Sequence, residues 1–336
     1  MSTSKLLDYS NVKKVRSPNL QLQGLIAAQR RLLNTHPSVP LISSNQSSLQ
    51  AGIGGEDRVA NELSKHTFFM ENFIFHDLSL YYYSKYQMDT FFLTRYYAII
   101  FEVKNLAGTL CFLDNPPQLI QKKDNGEING YDSPAAQVER YGELMTLWFG
   151  SRKISLPIYR VVVLAYPKQK VERPPSKTKI LFPSLISSYI RNIPLDKIWL
   201  DNETFNWLSS ELVNRHQFYI PAPICETFNI STSDVRTGVL CKTCGQLGMK
   251  KTIRSWKCIH CGSQDHLAHL PAIKDWFLIM GSKMTNTDCR EFLHVDRRTA
   301  TRILASMELL SEGTFKNRTY LMDFEGLLRT GKLLEL

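Results

Sequence analysis

Apolar residues are concentrated in three consecutive blocks between residues 71 and 104. ENFIFHDLSL, YQMDTFFL and YYAIIFEVKN are each rich in aromatic and β-branched residues, with few polar interruptions. Such blocks are typical of β-strands, so the sequence predicts three strands in succession. GTLCF (108–112) is a candidate fourth strand, and LPIYRVVVLAYP (156–167) has the continuous apolar run of a buried strand.

Helical patterns flank these strands. SPAAQVERYGELMTLWF (133–149) begins with a Ser at the cap and a Pro at the first helical position, and it carries one apolar face. GIGGEDRVANEL (52–63) predicts a Gly-rich turn followed by a helix whose acidic first turn suits the helix dipole. Residues 178–215 are predicted to be mostly helical. This mixture of strands and helices indicates an α/β fold.

The chain is long enough for more than one domain. At 336 residues it exceeds what a single core usually holds. The predicted segments are a basic N-terminal arm and linker over 1–50, an α/β domain with a helical extension over 51–222, a cysteine-bearing unit over 225–268 and a helical unit over 270–336. Within the arm, residues 20–33 predict a helix that docks onto the core, and the polar residues 43–50 predict a linker.

Charge is distributed unevenly along the chain. The net charge is +10, yet residues 51–150 carry −5. A basic surface indicates a polyanionic partner, nucleic acid before membrane, with a merely solvated surface as the alternative. The apolar runs are far shorter than the roughly 20 residues that span a bilayer, and residues 1–15 lack the apolar segment of a signal peptide. We therefore expect a cytoplasmic protein without a membrane partner.

Single charged residues interrupt two of the predicted strands. Glu102 and Lys104 share one face of the third strand, because alternate side chains point the same way. Asp89 is the one charged residue of the second block, YQMDTFFL. A hairpin centred on Arg95 and Tyr96 places Asp89 opposite Glu102, where like charges are destabilising. The sequence therefore predicts a cation between them, and solvated strand ends are the alternative.

Two further polar residues are predicted to point inward from helices. Glu56 lies on the same helical stripe as Val59 and Leu63. Gln137 starts the apolar face of the helix over 133–149, where an inward amide needs a polar partner. An ordinary residue of the capping turn is the alternative for Gln137.

Four motifs resemble a known family. GIGGEDRVANEL, QMDTFFL, FEVKNLAG and SPAAQVERY occur in the order and spacing of the nuclease-related domain, NERD, which resembles a branch of the PD-(D/E)xK nucleases. The resemblance covers roughly residues 52–150. It implies a restriction-endonuclease-like mixed sheet flanked by helices, and metal-dependent hydrolysis of phosphodiester bonds. The catalytic residues that it implies are Glu56, Asp89, Glu102, Lys104 and Gln137.

The chemistry of these residues suits that activity. Carboxylates bind a hard cation such as Mg²⁺ or Mn²⁺, which activates water and neutralises the transition state. Lys104 can position or deprotonate the attacking water, and Gln137 can orient that water or Lys104. Glu56 is a candidate for a second metal or for orienting Lys104. A structural ion cluster without turnover is the alternative. The predicted ligands are Asp89, Glu102 and the Val103 carbonyl.

Four of the seven cysteines form two C-x-x-C pairs separated by thirteen residues. This spacing is typical of a zinc ribbon, in which four thiolates bind one structural Zn²⁺. A glycine follows each pair, as such turns often require. Redox thiols are the alternative. The predicted ligands are Cys241, Cys244, Cys258 and Cys261, and the nearby candidate substitutes are His260, His266 and His269.

Two C-terminal features are candidates for nucleic-acid contact. Trp256 lies among basic residues between the cysteine pairs and can stack a base, with a place in the ribbon core as the alternative. MTNTDCREFLHVDRRTATRILASMELL predicts a helix-turn-helix with a first helix over 285–293 and a cap at Asp296, and LLSEGTFKNRTYLMDF resembles the wing of a winged helix. Protein docking is the alternative. The candidate contacts are Arg298, Thr301, Arg302, Lys316 and Arg318.

These patterns predict a metal-dependent nuclease that acts on DNA, with zinc-ribbon and winged-helix domains that bind nucleic acid. The alternative is a non-catalytic nucleic-acid-binding adaptor or regulator with an inert nuclease-like core. The sequence shows no nucleotide-binding loop, so an energy-driven step would need a partner such as a helicase. A homo-oligomer is the other candidate assembly.

Overall fold

The computed structural model describes residues 11–314 and 317–335 and has a mixed α/β fold, as predicted. Its helices are α1 Leu20–Arg31, α2 Val39–Ser64, α3 Pro134–Gly150, α4 Ile186–Arg191, α5 Asn202–Asn214, α6 Ile224–Thr227, α7 His269–Ile279, α8 Asn286–Leu293, α9 Arg297–Ser306 and α10 Phe324–Thr330. Its strands are β1 Val12–Lys14, β2 Asn72–Tyr82, β3 Ser84–Thr94, β4 Ala98–Lys104, β5 Thr109–Asp114, β6 Pro117–Lys122, β7 Ile128–Asp132, β8 Ile158–Leu164, β9 Lys170–Arg173, β10 Lys179–Leu181, β11 Val239–Leu240, β12 Leu247–Lys251, β13 Trp256–Cys258, β14 Gln264–Asp265, β15 Met284–Thr285, β16 Leu310–Glu312 and β17 Thr319–Leu321. Among these helices, none is both long and apolar enough to cross a membrane.

Contacts divide the chain into two compact units. The first comprises Met1–Ser17 and Gln50–Gln217, and the second comprises Pro18–Leu49 and Phe218–Leu336. The first fifty residues are therefore shared between the units. The finer division into four segments stays a prediction.

The first unit is built on a mixed sheet flanked by helices, as predicted. Its strand order is β1-β2-β3-β4-β8-β10. Strands β2, β3 and β4 are antiparallel neighbours, whereas β8 runs parallel to β4. Apolar residues of α3 and α5 pack on one face, and those of α2 and α4 pack on the other. The predicted hairpin register is confirmed, since Thr90 pairs with Phe101.

Of three local predictions in this region, two are confirmed and one was wrong. The candidate fourth strand forms as β5, in a second sheet of order β7-β6-β5-β9. Residues 178–215 are mostly helical, as predicted, and they also contain the short strand β10, which extends the sheet parallel to β8. The expected linker over 43–50 lies inside α2. Ile42 is fully buried in the core of the second unit, and such packing overrides the weak helix propensity of the polar residues that follow.

The second unit combines a small ribbon with a helical module. The ribbon is an antiparallel sheet of order β11-β12-β13-β14. The elements α7, β15, α8, α9, β16 and β17 follow in the order of a winged helix, with a sheet of order β15-β17-β16. Thr285 and Asp296 cap α8 and α9, and His294 adopts a left-handed conformation between them. Helix α1 packs against α7 and contributes Leu25 to the shared core.

Candidate active site and candidate metal centre

Near Asp89, the alternation of side chains between the two faces of the sheet is interrupted on β2 and on β3. On β3, Phe91 and Leu93 face the same core as Met88, so the usual alternation of side chains is broken between them. On β2, the opposite residue Asp77 has a left-handed backbone with φ of 55°. Pairing between the two strands resumes on either side of these aspartates. Asp89 therefore lies at a local irregularity of the sheet, where side chains do not alternate regularly between the two faces.

The Asp89 carboxylate binds the backbone of the neighbouring strand. Its Oδ2 accepts a hydrogen bond of 2.7 Å from the Val103 N–H. The Lys104 carbonyl faces β8, where it accepts from the Ala165 N–H. Because successive carbonyls of a strand point to opposite edges, the Val103 carbonyl faces the Asp89 edge. This geometry places the Asp89 carboxylate and the Val103 carbonyl, two of the three predicted metal ligands, at the same edge of β4.

A chain of polar contacts leads from Glu102 to helix α3. Glu102 is 1 % exposed, and its Oε1 lies 2.7 Å from the Lys104 Nζ. The same ammonium donates to the Gln137 Oε1 at 3.3 Å, and the Gln137 Nε2 donates to the Tyr141 hydroxyl at 3.0 Å. The structure thus joins Glu102, Lys104 and Gln137 in one network, and Tyr141 is an addition that the sequence indicated only as part of an apolar face.

Glu56 reaches the site from α2, which runs through the glycines without the predicted turn. The helix lies so close to the sheet that a Cβ on Gly55 would be 3.0 Å from the Asn105 Cβ and 3.2 Å from the Ala165 Cβ. The Asn105 amide also donates to the Ala51 carbonyl at 2.8 Å. Close packing, rather than a turn, is therefore what the glycine permits, and the next residue, Glu56, lies beside the sheet.

Two cations from the N-terminal segment also reach this region. The Arg16 Nε lies 2.9 Å from the Glu56 Oε2, and the same guanidinium pairs with Asp57. The buried Lys14 Nζ lies 3.6 Å from an Asp77 oxygen and donates to the His76 carbonyl at 2.9 Å. Lys14 ends strand β1, which pairs parallel to β2, and Arg16 follows two residues later.

The carboxylates of the site act on one another electrostatically. Burial, and then the nearby Asp89 charge, raises the pKa of Glu102 to about 8 against the opposing effect of Lys104. Burial and Asp89 likewise raise the pKa of Glu56 to about 8, against the opposing effect of Arg16. Burial is also the main cause of a raised pKa at Asp89. The three acids therefore resist simultaneous ionisation unless a cation compensates them.

These residues fit a divalent cation. The Glu102 Oε2 is buried and has no hydrogen-bond partner among the described residues. Such an oxygen is costly unless a ligand satisfies it, and carboxylate and carbonyl oxygens are the ligands that hard cations prefer. Asp89, Glu102 and the Val103 carbonyl would hold the ion. In the described part of the chain the oxygens of Glu56, Asp89 and Glu102 do not all lie within 4.8 Å of one another.

Comparison with known families agrees with this geometry. Residues 51–165 match the family model described as the nuclease-related domain, NERD. This segment is a NERD domain. The curated proteins contain no match to the chain, and neither do the solved structures. The match spans the segment from α2 to β8, which carries Glu56, Asp89, Glu102, Lys104 and Gln137.

Beyond the NERD domain, the cysteine quartet forms a compact group. The ligand atoms of Cys241, Cys244, Cys258 and Cys261 all lie within 4.8 Å of one another. Two of the Sγ–Sγ distances are 3.7 and 3.6 Å. A tetrahedron with Zn–S bonds of about 2.3 Å has edges of about 3.8 Å, so the sulfurs fit a zinc ion. A four-thiolate site leaves no open position, which suits a structural zinc.

A glycine with a positive φ angle follows each C-x-x-C pair. Gly245 and Gly262 have φ of 71° and 75°, a conformation that disfavours side chains with a Cβ. The nearby histidines make other contacts: His260 with the Leu247 carbonyl, His266 with the Arg254 carbonyl and His269 with Trp256. Trp256 is fully buried, which supports the place in the ribbon core over the alternative of stacking a base.

The candidate nucleic-acid contacts of the winged-helix module lie on its surface where the structure describes them. Arg298, Thr301 and Arg302 are exposed on α9, and Ala300, Ile303 and Leu304 form its buried face. Arg318 is exposed before β17, whereas Lys316 lies outside the described residues. Their role in binding stays a prediction.

Proposed function

We propose that the NERD domain is a metal-dependent nuclease that hydrolyses phosphodiester bonds, with DNA as the substrate. The observation that supports this most is the buried, unpartnered oxygen of Glu102 beside Asp89 and Lys104. A Mg²⁺ or Mn²⁺ ion held by Asp89, Glu102 and the Val103 carbonyl would activate water and stabilise the charge that develops on the phosphate.

In this proposal Lys104 is held by side chains on two elements. Glu102 accepts one of its ammonium protons and Gln137 accepts another, which fixes the position of the Nζ. An ammonium has three donors, so the remaining proton can reach a water or a phosphate oxygen. Tyr141 supports the Gln137 amide from the next turn of α3.

Further elements support DNA as the substrate. The elements after α7 follow the order of a winged helix, in which α9, with Arg298, Thr301 and Arg302, would be the recognition helix. The acidic NERD segment would repel a polyanion in the absence of metal, so basic flanking segments are needed for binding. The cytoplasmic location, and a partner such as a helicase or a second copy of this chain, remain predictions from the sequence.

The test is cleavage of circular and linear duplex DNA by the full-length protein, with Mg²⁺ or Mn²⁺ and then with chelator. We expect metal-dependent cleavage that Asp89→Asn, Glu102→Gln and Lys104→Ala each reduce by at least about 100-fold, since each removes a group that acts on the reacting atoms or on the ion. Glu143→Gln is the matched control, because this exposed carboxylate lies on α3 away from the network.

The same assay separates the main alternative. DNA binding that persists while no metal supports cleavage would favour an adaptor with an inert nuclease-like core. Cleavage that survives all three substitutions would place the active site elsewhere.

A further inference from the structure

The hairpin formed by β12 and β13 has an unusual concentration of positive charge. Between Cys241 and Gln264 the sequence contains no Asp or Glu. The basic residues of this stretch are Lys242, Lys250, Lys251, Arg254 and Lys257. Lys242 lies 3.8 Å from the carboxylate of Asp265, the first acidic residue after the stretch. Among the described residues, the other basic residues of this stretch have no carboxylate partner.

Two of these lysines lie directly opposite each other. Lys250 pairs with Lys257 in the antiparallel register, and both side chains are exposed. The adjacent pair, Met249 with Cys258, points into the ribbon core. Directly opposed like charges destabilise a hairpin, and neither lysine has an ion-pair partner among the described residues. An anion that lies between the two ammonium groups would relieve this repulsion.

The turn of the hairpin is held firmly. The Thr252 N–H donates to the Ser255 carbonyl at 2.8 Å, and the Ser255 N–H donates to the Thr252 Oγ1 at 3.0 Å. The Arg254 carbonyl contacts the His266 ring at 2.9 Å. This turn presents Ile253, which is 98 % exposed, at the tip of the hairpin. A preformed tip loses little conformational freedom when it binds, so its exposed side chains suit an interface.

We propose that this basic hairpin docks on a nucleic-acid duplex, with Lys250 and Lys257 on backbone phosphates and with Ile253 and Arg254 in a groove. A two-stranded ribbon fits the major groove of DNA, and phosphate contacts position such an element. The partner's identity as DNA rests on the proposed function, whereas the surface itself is argued from its own charge and geometry. The cysteine quartet supports the hairpin, because Cys258 is part of β13.

The test is binding of a labelled duplex of about 25 base pairs by the full-length chain at several salt concentrations. All variants carry Glu102→Gln so that the duplex is not cut. We expect the double change Lys250→Ala with Lys257→Ala to reduce the salt slope, d log K/d log[salt], by about 2 and the low-salt affinity by roughly 10-fold. Lys242→Ala is the matched control, because this ribbon lysine already has a carboxylate partner.

Ile253→Ser tests the tip separately. We expect a weaker complex with an unchanged salt slope, because the substitution removes apolar contact and no charge. Zinc content is measured for every variant, and one zinc per chain shows that the ribbon is intact. A salt slope that the double change leaves unaltered would overturn the proposal, as would a parent chain that does not bind duplex at low salt. An effect restricted to single-stranded RNA would overturn the duplex assignment.

These outcomes are independent of catalysis. If the chain without Glu102→Gln never cuts DNA but the lysine change still reduces the slope, the proposed nuclease fails and the docking surface stands. If that chain cuts DNA and the slope does not change, the docking surface fails alone.

Discussion

The two candidate metal sites of this chain are built in opposite ways. The cysteine sulfurs already form a group with the dimensions of a zinc tetrahedron. The carboxylates of the NERD domain are more widely placed, and protein cations accompany them: Lys104 pairs with Glu102, and Arg16 pairs with Glu56. A structural site gains from complete convergence of its ligands, whereas a catalytic site needs space for water and substrate. From this difference we expect that an ion at the cysteine site would support folding and that an ion at the carboxylate site would not be needed for it.

The largest expected effect is on the zinc site. Cys258→Ser should abolish zinc binding and unfold the ribbon, because a structural zinc contributes about 10 kcal/mol or more to the folding of such units. Zinc content and protection of the ribbon from proteolysis measure this effect. Cys111→Ser, which removes a free cysteine in the other unit, should keep one zinc per chain. A full zinc content in the Cys258 variant would contradict the four-thiolate site.

The carboxylate site should instead respond to pH and to Mg²⁺. Glu102 has an ordinary pKa of 4.5 in the unfolded chain and a raised pKa of about 8 in the folded protein. At a pH between these two values, it binds more protons in the folded protein. Its contribution to stability is therefore present below about pH 4.5 and lost as the pH rises through 8, by up to about 5 kcal/mol at about 1.4 kcal/mol per pKa unit. Mg²⁺ should restore stability at pH 8. Hydrogen exchange of β3 and β4 amides measures the change.

Glu102→Gln is the decisive variant for this pH effect. It should reduce the loss of protection between pH 5 and pH 8, because the amide does not titrate, while Glu56 retains its own share. Glu143→Gln should behave like the parent. Equal pH dependence in the parent and the Glu102 variant would show that this carboxyl is not the source.

A smaller effect is expected where α2 meets the sheet. Gly55→Ala should destabilise the NERD domain by about 1–3 kcal/mol, because the new methyl group has too little space beside Asn105 and Ala165. Gly54→Ala is the matched control. A Cβ there has no neighbour within 4 Å, so the change should stabilise the helix by about 0.5–1 kcal/mol. Chemical denaturation measures both variants, and equal effects would argue against the close approach.

The smallest expected effect is at the end of the polar network. Tyr141→Phe removes the hydroxyl that accepts from Gln137, and a hydrogen bond of this kind is worth about 0.5–1.5 kcal/mol. We expect cleavage to fall about 2-fold to 10-fold. Tyr86→Phe, which removes a hydroxyl in contact with the Met145 sulfur, should leave the rate unchanged. Equal rates for Tyr141→Phe and the parent would exclude Tyr141 from positioning Gln137.

Local patterns account for what could be predicted from the sequence. The cysteine spacing is a local property, and so are the caps at Ser133 and Asp296. The register of β3 and β4 could be predicted because their connection is short. Lone charges in apolar strands then indicated Asp89 and Glu102 without any knowledge of the third dimension.

Long-range packing explains what could not be predicted. Arg16 pairs with Glu56, which is 40 positions away in the sequence, and such a contact produces no periodic pattern in the sequence. The glycines before Glu56 indicated a turn, but close packing against Ala165 determines the helix instead. Trp256 was ambiguous for a related reason, since only the folded ribbon shows which residues its ring contacts.

The division of the sequence between the two units has a practical consequence. Each unit is assembled from two separate stretches of sequence, and α2 passes from one unit to the other between Leu49 and Gln50. An expression clone trimmed to the family boundary at residue 51 would remove β1 with Lys14 and Arg16, while a fragment starting at Phe218 would lack α1. To produce either unit alone, its two separate sequence segments must therefore be joined, because truncation at a single position does not isolate it.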